Sequence, residues 1–205
     1  VEVSSTNTNT QGQLEQLAKE GDTITLTVES SEALKSLNVM GSDGSPTPLT
    51  AVGNTGREWT LSDTVDSDDS GELSFTLAYE DLAGNAGTSV SDTTNNSRIS
   101  FDTTVPTLSS VSLVSNNVST NRAKSGDNLT LSFTSSEPIP VPTVTLAGST
   151  TTATSGNGTD WRAMHPVGNN TPNGSASFSI SFVDEAGNVG TAVTTTTDQS
   201  SVCLL

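Results

Sequence analysis

Two stretches of this 205-residue chain carry the same word: YEDLAGNAG at 79–87 and FVDEAGNVG at 182–190 share D-x-A-G-N-x-G, 103 residues apart. The chemistry the word offers is a carboxylate, Asp81 or Asp184, followed by a tight turn. Two further carboxylates recur in S-S-E words, as Glu32 and Glu137, and Asp102 stands alone in FDTTVP. Carboxylates work in catalytic pairs, cap turns by accepting backbone N–H bonds, or hold hard cations. For catalysis the sequence offers little. The single histidine, His165 in RAMHPV, has no Cys or Ser nucleophile motif and no second histidine near it, and reads as a surface or strand residue. G-x-S-x-G, H-E-x-x-H, phosphate-loop and dinucleotide patterns are all missing. The expectation is a structural joint and not an enzyme.

The elements that must position these acids come in two copies. LAKEGDTITLTVESSEAL (17–34) aligns with RAKSGDNLTLSFTSSEPI (122–139), and GELSFTLAYEDLAGNAGTSV (71–90) with GSASFSISFVDEAGNVGTAV (174–193). REWTLS and DWRAMH match between them, so Trp59 and Trp161 correspond. A repeat of this length is one folding unit used twice. The spacing predicts two domains, 1–102 and 103–205, joined by the short segment FDTTVPTLSS (101–110), which Pro106 stiffens.

Each copy is written in short alternating runs separated by Gly, Asn, Asp and Pro, as in Thr23-Ile24-Thr25-Leu26-Thr27-Val28. Such runs give strands with one apolar face, and a series of them makes an all-β sandwich. Strands are predicted near 1–6, 22–29, 34–40, 48–52, 58–65, 72–80 and 86–101. The second copy gives 109–115, 127–134, 141–147, 150–154, 160–166, 175–183 and 189–204. QLEQLAKE (13–20) is read as room for a single helical turn. Leu26, Val28, Leu73, Phe75 and Leu77 face the first core; Leu129, Leu131, Phe133, Phe178 and Ile180 face the second. Only 31% of residues are hydrophobic, so both cores are small.

FDTTVPTLSSVSLVSNN, AKSGDNLTLSFTSSEPI and the doubled D-x-A-G-N-x-G together resemble the bacterial Ig-like repeats of very large surface adhesins. The resemblance covers essentially the whole chain. It implies two immunoglobulin-like β-sandwiches in tandem, an extracellular or cell-surface location, and calcium at domain junctions. The chain departs from the pattern at both ends: the first copy lacks the leading D-T-T-x-P segment, and the second closes on SVCLL where an aspartate would follow.

In an Ig-like sandwich the loops after the second and sixth strands lie where the chain enters. Those loops carry Glu32 and Asp81 in copy one, and Glu137 and Asp184 in copy two. Asp102 arrives at the entry end of copy two, so Asp102, Glu137 and Asp184 are expected to converge. Three carboxylates together repel unless a cation or a proton intervenes. Calcium takes six to eight oxygens and suits the group, whereas magnesium demands stricter geometry and zinc prefers Cys and His. Gly187 and Asn188 are expected to shape the turn, both tolerating a positive φ, with the Asn188 side chain bracing it. The metal set is therefore Asp102, Glu137, Asp184 and Asn188, with Glu32 and Asp81 at the equivalent positions of copy one. The other reading stays open: Asp81 and Asp184 serve only as turn caps.

At the opposite end of copy one Glu20 and Asp22 are expected to face the joint, with the acids of DSDDSGE, Asp66, Asp68 and Asp69, either facing it too or forming an ordinary solvated loop. Residues 1–104 hold 17 acids and 4 bases, residues 105–205 only 6 acids and 3 bases, and the whole chain has a net charge of −16. An acidic surface of this kind repels nucleic acid and anionic headgroups. No apolar run long enough for membrane insertion and no secretory signal is present, which fits a piece cut from a longer precursor. The lone Cys203 permits no intrachain disulfide and is expected to be a buried small hydrophobe.

The reading is a stiff extracellular stalk segment or the subunit of a homopolymeric filament, whose partners are neighbouring Ig-like repeats head to tail. The alternative is an adhesin module that binds a glycan through an exposed Trp59 or Trp161.

Overall fold

The computed structural model describes residues 1–9, 13, 15–40 and 45–205. These residues form strands and no helix, in two compact units, Val1–Thr103 and Thr104–Leu205.

The first unit contains β1 (Glu2–Ser5), β2 (Glu15–Ala18), β3 (Thr23–Glu29), β4 (Leu34–Met40), β5 (Pro46–Pro48), β6 (Thr50–Val52), β7 (Glu58–Thr64), β8 (Gly71–Glu72), β9 (Leu77–Asp81) and β10 (Arg98–Phe101). One layer has the order β1-β3-β7-β6, antiparallel throughout. The other has β5-β4-β9, continued by the bridges Leu77↔Val90 and Glu80↔Ala86. β10 then runs parallel to β2, so the first strand of the unit is split between layers. This strand order is that of an immunoglobulin-like sandwich.

The second unit repeats it with β11 (Leu108–Ser115), β12 (Arg122–Ala123), β13 (Asn128–Ser135), β14 (Thr143–Leu146), β15 (Ser149–Ser155), β16 (Asp160–Pro166), β17 (Gly174–Ser175), β18 (Phe178–Ser181) and β19 (Cys203–Leu204). β15 passes between the layers, pairing with β14 over Ser149–Thr152 and with β16 over Ala153–Ser155. In the first unit that strand is broken into β5 and β6.

Alternation accounts for the cores. In β13 the side chains of Leu129, Leu131 and Phe133 are buried, and Phe178 and Ile180 meet them from the other layer. Leu26, Val28 and Leu77 are buried in the first unit, while Leu73 and Phe75 are half-buried against its core. Trp161 is buried and Trp59 half-buried, and each indole N–H donates to a turn carbonyl, Gly158 at 3.1 Å and Gly56 at 3.2 Å.

Four expectations change. Glu15–Ala18 is a strand and not a helical turn, because the parallel β10 completes its ladder; Leu14 of that expectation lies outside the described residues. The runs 86–101 and 189–204 are not continuous strands: single bridges at Val90 and Val193 give way to turns before β10 and β19. Cys203 is exposed, since alternation along β19 turns Val202 and Leu204 inward. Asp22 does not face outward. It is buried, accepting from Asn7 Nδ2 at 2.8 Å and the Lys19 amide at 2.9 Å, with Lys19 Nζ at 3.4 Å. Asp127 repeats this clamp with Asn117 Nδ2 and the Lys124 amide, both at 2.8 Å. In each unit the clamp ties the split first strand to the start of the next.

Candidate metal centre

The D-x-A-G-N-x-G word folds the same way twice. The Gly187 amide donates to the Asp184 carbonyl at 3.3 Å and the Asp184 amide to the Asn188 carbonyl at 3.2 Å. Gly187 takes φ +88°, a conformation costly for any residue with a Cβ. Asn188 then grips the carboxylate: its amide reaches Oδ1 and its Nδ2 reaches Oδ2, each at 2.8 Å. Only Gly187, and not Asn188, takes the positive φ, so Asn is needed for its donors and not for its backbone tolerance. In the first unit the Asn85 amide and Nδ2 hold Asp81 Oδ1 and Oδ2 at 2.8 and 2.7 Å, and the Ala83 amide adds a further bond at 2.8 Å. Turn capping by Asp is thus present in both copies.

The environments differ. Asp184 is 1% exposed and Asn188 is buried with it, whereas Asp81 is half-buried and Asn85 exposed. The Asn85 side chain, aided by its amide, holds the Asp81 carboxyl below the usual aspartate value.

Glu137 follows β13 in a turn that Ser135 closes by donating its hydroxyl to the Glu137 carbonyl at 2.6 Å. Ser30 makes the same bond to the Glu32 carbonyl. Asp102 lies on the connector just after β10, its amide donating to the Ala18 carbonyl at 2.9 Å. Within the second unit, one carboxylate oxygen of Glu137 and one of Asp184 lie within 4.8 Å of each other. Oxygens bound to one calcium ion at 2.3–2.6 Å are at most about 5 Å apart, so this spread fits a single calcium sphere. The donor set is all hard oxygen, which suits calcium and not zinc. Asn188 donates its amide and its Nδ2 to the two oxygens of Asp184 and so orients the carboxylate.

Asp66, Asp68 and Asp69 form a loop that closes on itself: the Asp66 amide donates to Asp69 Oδ2 at 2.8 Å, and the loop carbonyls of Ser67 and Asp69 accept from Thr103 Oγ1 at 3.2 Å. His165 is half-buried in β16 opposite Leu129. In the first unit, a groove of about 430 Å³ runs along Val3, Glu72, Phe75, Asp92 and Arg98, with an exposed Arg98–Glu72 ion pair at 3.2 Å on its wall. Sequence reasoning missed the Asn–Asp clamps; their signal was the Asn preceding each A-K-x-G-D word.

No family model matches the chain, and no curated protein does. Among solved structures it is similar to the titin Ig tandem domains A164–A165, at 13% identity over 93% of this chain and 91% of that one, TM-score 0.29. Murine CEACAM1b shares 14% over 93% and 96%, TM-score 0.37, and the D00–D0 domain of intimin 12% over 99% of each chain, TM-score 0.29. The class rests on the strand order: this is an all-β chain of two tandem immunoglobulin-like sandwiches.

Proposed function

We propose that the chain is a segment of an extracellular array of bacterial Ig-like repeats, a stalk piece of a surface adhesin or the subunit of an extracellular filament, whose connector is fixed by calcium. The observation that supports it is the approach of Glu137 and Asp184 to within 4.8 Å of each other in the second unit. Two like charges this close cost free energy unless a cation or a proton intervenes. In this reading Asp102, which the sequence places on the connector, completes the calcium set and restricts the connector's motion. The chain's residues supply carboxylate oxygens, and Asn188 keeps the Asp184 plane fixed. A chain without a nucleophile–base pair, folded as a repeated sandwich, performs its function as a spacer, with neighbouring repeats as its partners.

Scanning calorimetry tests the reading. Calcium is expected to raise the midpoint of the second unit by mass action on the folded state, and EDTA to reverse the shift. Asp102→Asn is expected to abolish the response without unfolding either unit. An unchanged midpoint removes the cation from the account.

A further inference from the structure

The core face of the first unit carries a carboxylate. β3 and β7 pair Ile24 with Asp63, Leu26 with Leu61 and Val28 with Trp59. Side chains directly opposite each other in an antiparallel pair stand on the same face. Leu26 and Val28 are buried in the core, and Ile24, Leu61 and Trp59 pack against it, so Asp63 belongs to the inward row. Its Oδ1 accepts from the Thr64 amide at 2.9 Å, and it makes no ion pair among the described residues.

Beside it the two layers part. An opening of about 140 Å³ is lined by Ile24, Leu26, Val39, Leu61, Leu73 and Phe75, and Asp63, itself exposed, stands on its wall. At the equivalent positions of the second unit Leu129, Ala163, Ala176 and Phe178 are buried, and the acid is His165. Apolar walls left half in water favour any apolar body that covers them. A cavity of roughly 150 Å³ lined by Leu, Ile and Phe takes up a benzene ring. Filling the opening also strips water from the carboxylate, which costs free energy unless the ligand brings a charged donor to it. Residues 1–104, with 17 acids against 4 bases, draw cations towards this unit.

We propose that the first unit binds a small primary amine with a short apolar body, the ring or chain in the opening between the layers and the ammonium group on Asp63 Oδ2. The apolar walls supply the affinity and the inward carboxylate selects the charge. This binding function is separate from the spacer role and needs no calcium.

The test titrates benzylamine and benzyl alcohol, which share a shape and differ in charge, into the full chain at pH 7 in EDTA. Benzylamine is expected to shift the methyl NMR signals of Ile24, Leu61 and Leu73 and to bind roughly tenfold or more tightly than the alcohol. Asp63→Asn keeps an oxygen for the Thr64 amide and is expected to bring the two affinities together. Unmoved signals at these methyls, equal affinities for the native chain, or a preference for the amine that survives Asp63→Asn would each overturn the proposal.

Discussion

The ring of Phe182 lies over the α-carbon of Gly190 so closely that a Cβ at position 190 would stand 2.1 Å from Phe182 Cε2. Tyr79 and Gly87 repeat the contact at 2.0 Å. In both units the glycine amide also donates to the aromatic residue's carbonyl, at 3.1 and 2.9 Å. The last glycine of D-x-A-G-N-x-G and the aromatic residue two positions before the Asp are therefore one device, which closes the hairpin by seating a ring on bare backbone. Gly190→Ala forces that buried ring to move and is expected to cost about 1–3 kcal/mol, the range for overpacking. Urea unfolding checks it, and Phe182→Leu should recover part of the loss in the double variant.

Acid should weaken the fold through a defined set of aspartates. Asp81, Asp127, Asp160 and Asp198 are all held below the ordinary value of 3.8, chiefly by side-chain hydrogen bonds from Asn85, Asn117, Asn157 and Ser200 respectively. A depressed folded-state value contributes stability that is fully present above the unfolded value and is lost as pH falls through the folded one. Thermal midpoints are expected to be flat from neutral pH to just above 4 and to decline below it. Asn85→Ala should bring the Asp81 carboxyl back towards its ordinary value in a carbon-detected NMR titration.

The two units should melt separately, the first before the second. The second packs Leu129, Leu131, Val144, Leu146 and Ile180 at 0% exposure. The first leaves Ile24, Val39, Leu61, Leu73 and Phe75 only half-buried around an opening of about 140 Å³. Each unit has one tryptophan, so Trp161→Phe leaves a reporter of the first unit and Trp59→Phe a reporter of the second. Fluorescence melts of these variants are expected to give a lower midpoint for Trp59. Leu131→Ala should lower only the Trp161 transition, by about 2–5 kcal/mol.

Removing the Asn of a clamp should be expensive where the clamp is buried. Asn7→Ala takes the Nδ2 donor from the buried Asp22, leaving the Lys19 amide and Nζ, and is expected to destabilise the first unit by about 1–3 kcal/mol, read by urea unfolding. Asn117→Ala, at the half-buried equivalent, should cost less.

The strand words were legible because alternation is a local property: β3, β4, β7, β13 and β16 fall within a residue or two of their predicted spans. β2 was not, since Glu15–Ala18 has no strong period and becomes a strand only when β10 lies beside it. The same reason hid the true extent of the last strands. The Asp–Asn turn was readable as a turn, but not which donor meets which oxygen. The exposure of Cys203 depended on a register that only the pairing of β12 with β19 fixes.

The sequence by itself determined that the chain is a twice-used, all-β unit with acids at fixed offsets, because periodicity and repetition are written along the chain. Tertiary structure alone decided how deeply each acid sits. Asp81 and Asp184 sit in the same word with the same asparagine clamp, yet one stands half in solvent and the other is 1% exposed. Burial depends on what packs against a turn from distant parts of the chain, and no local pattern encodes that.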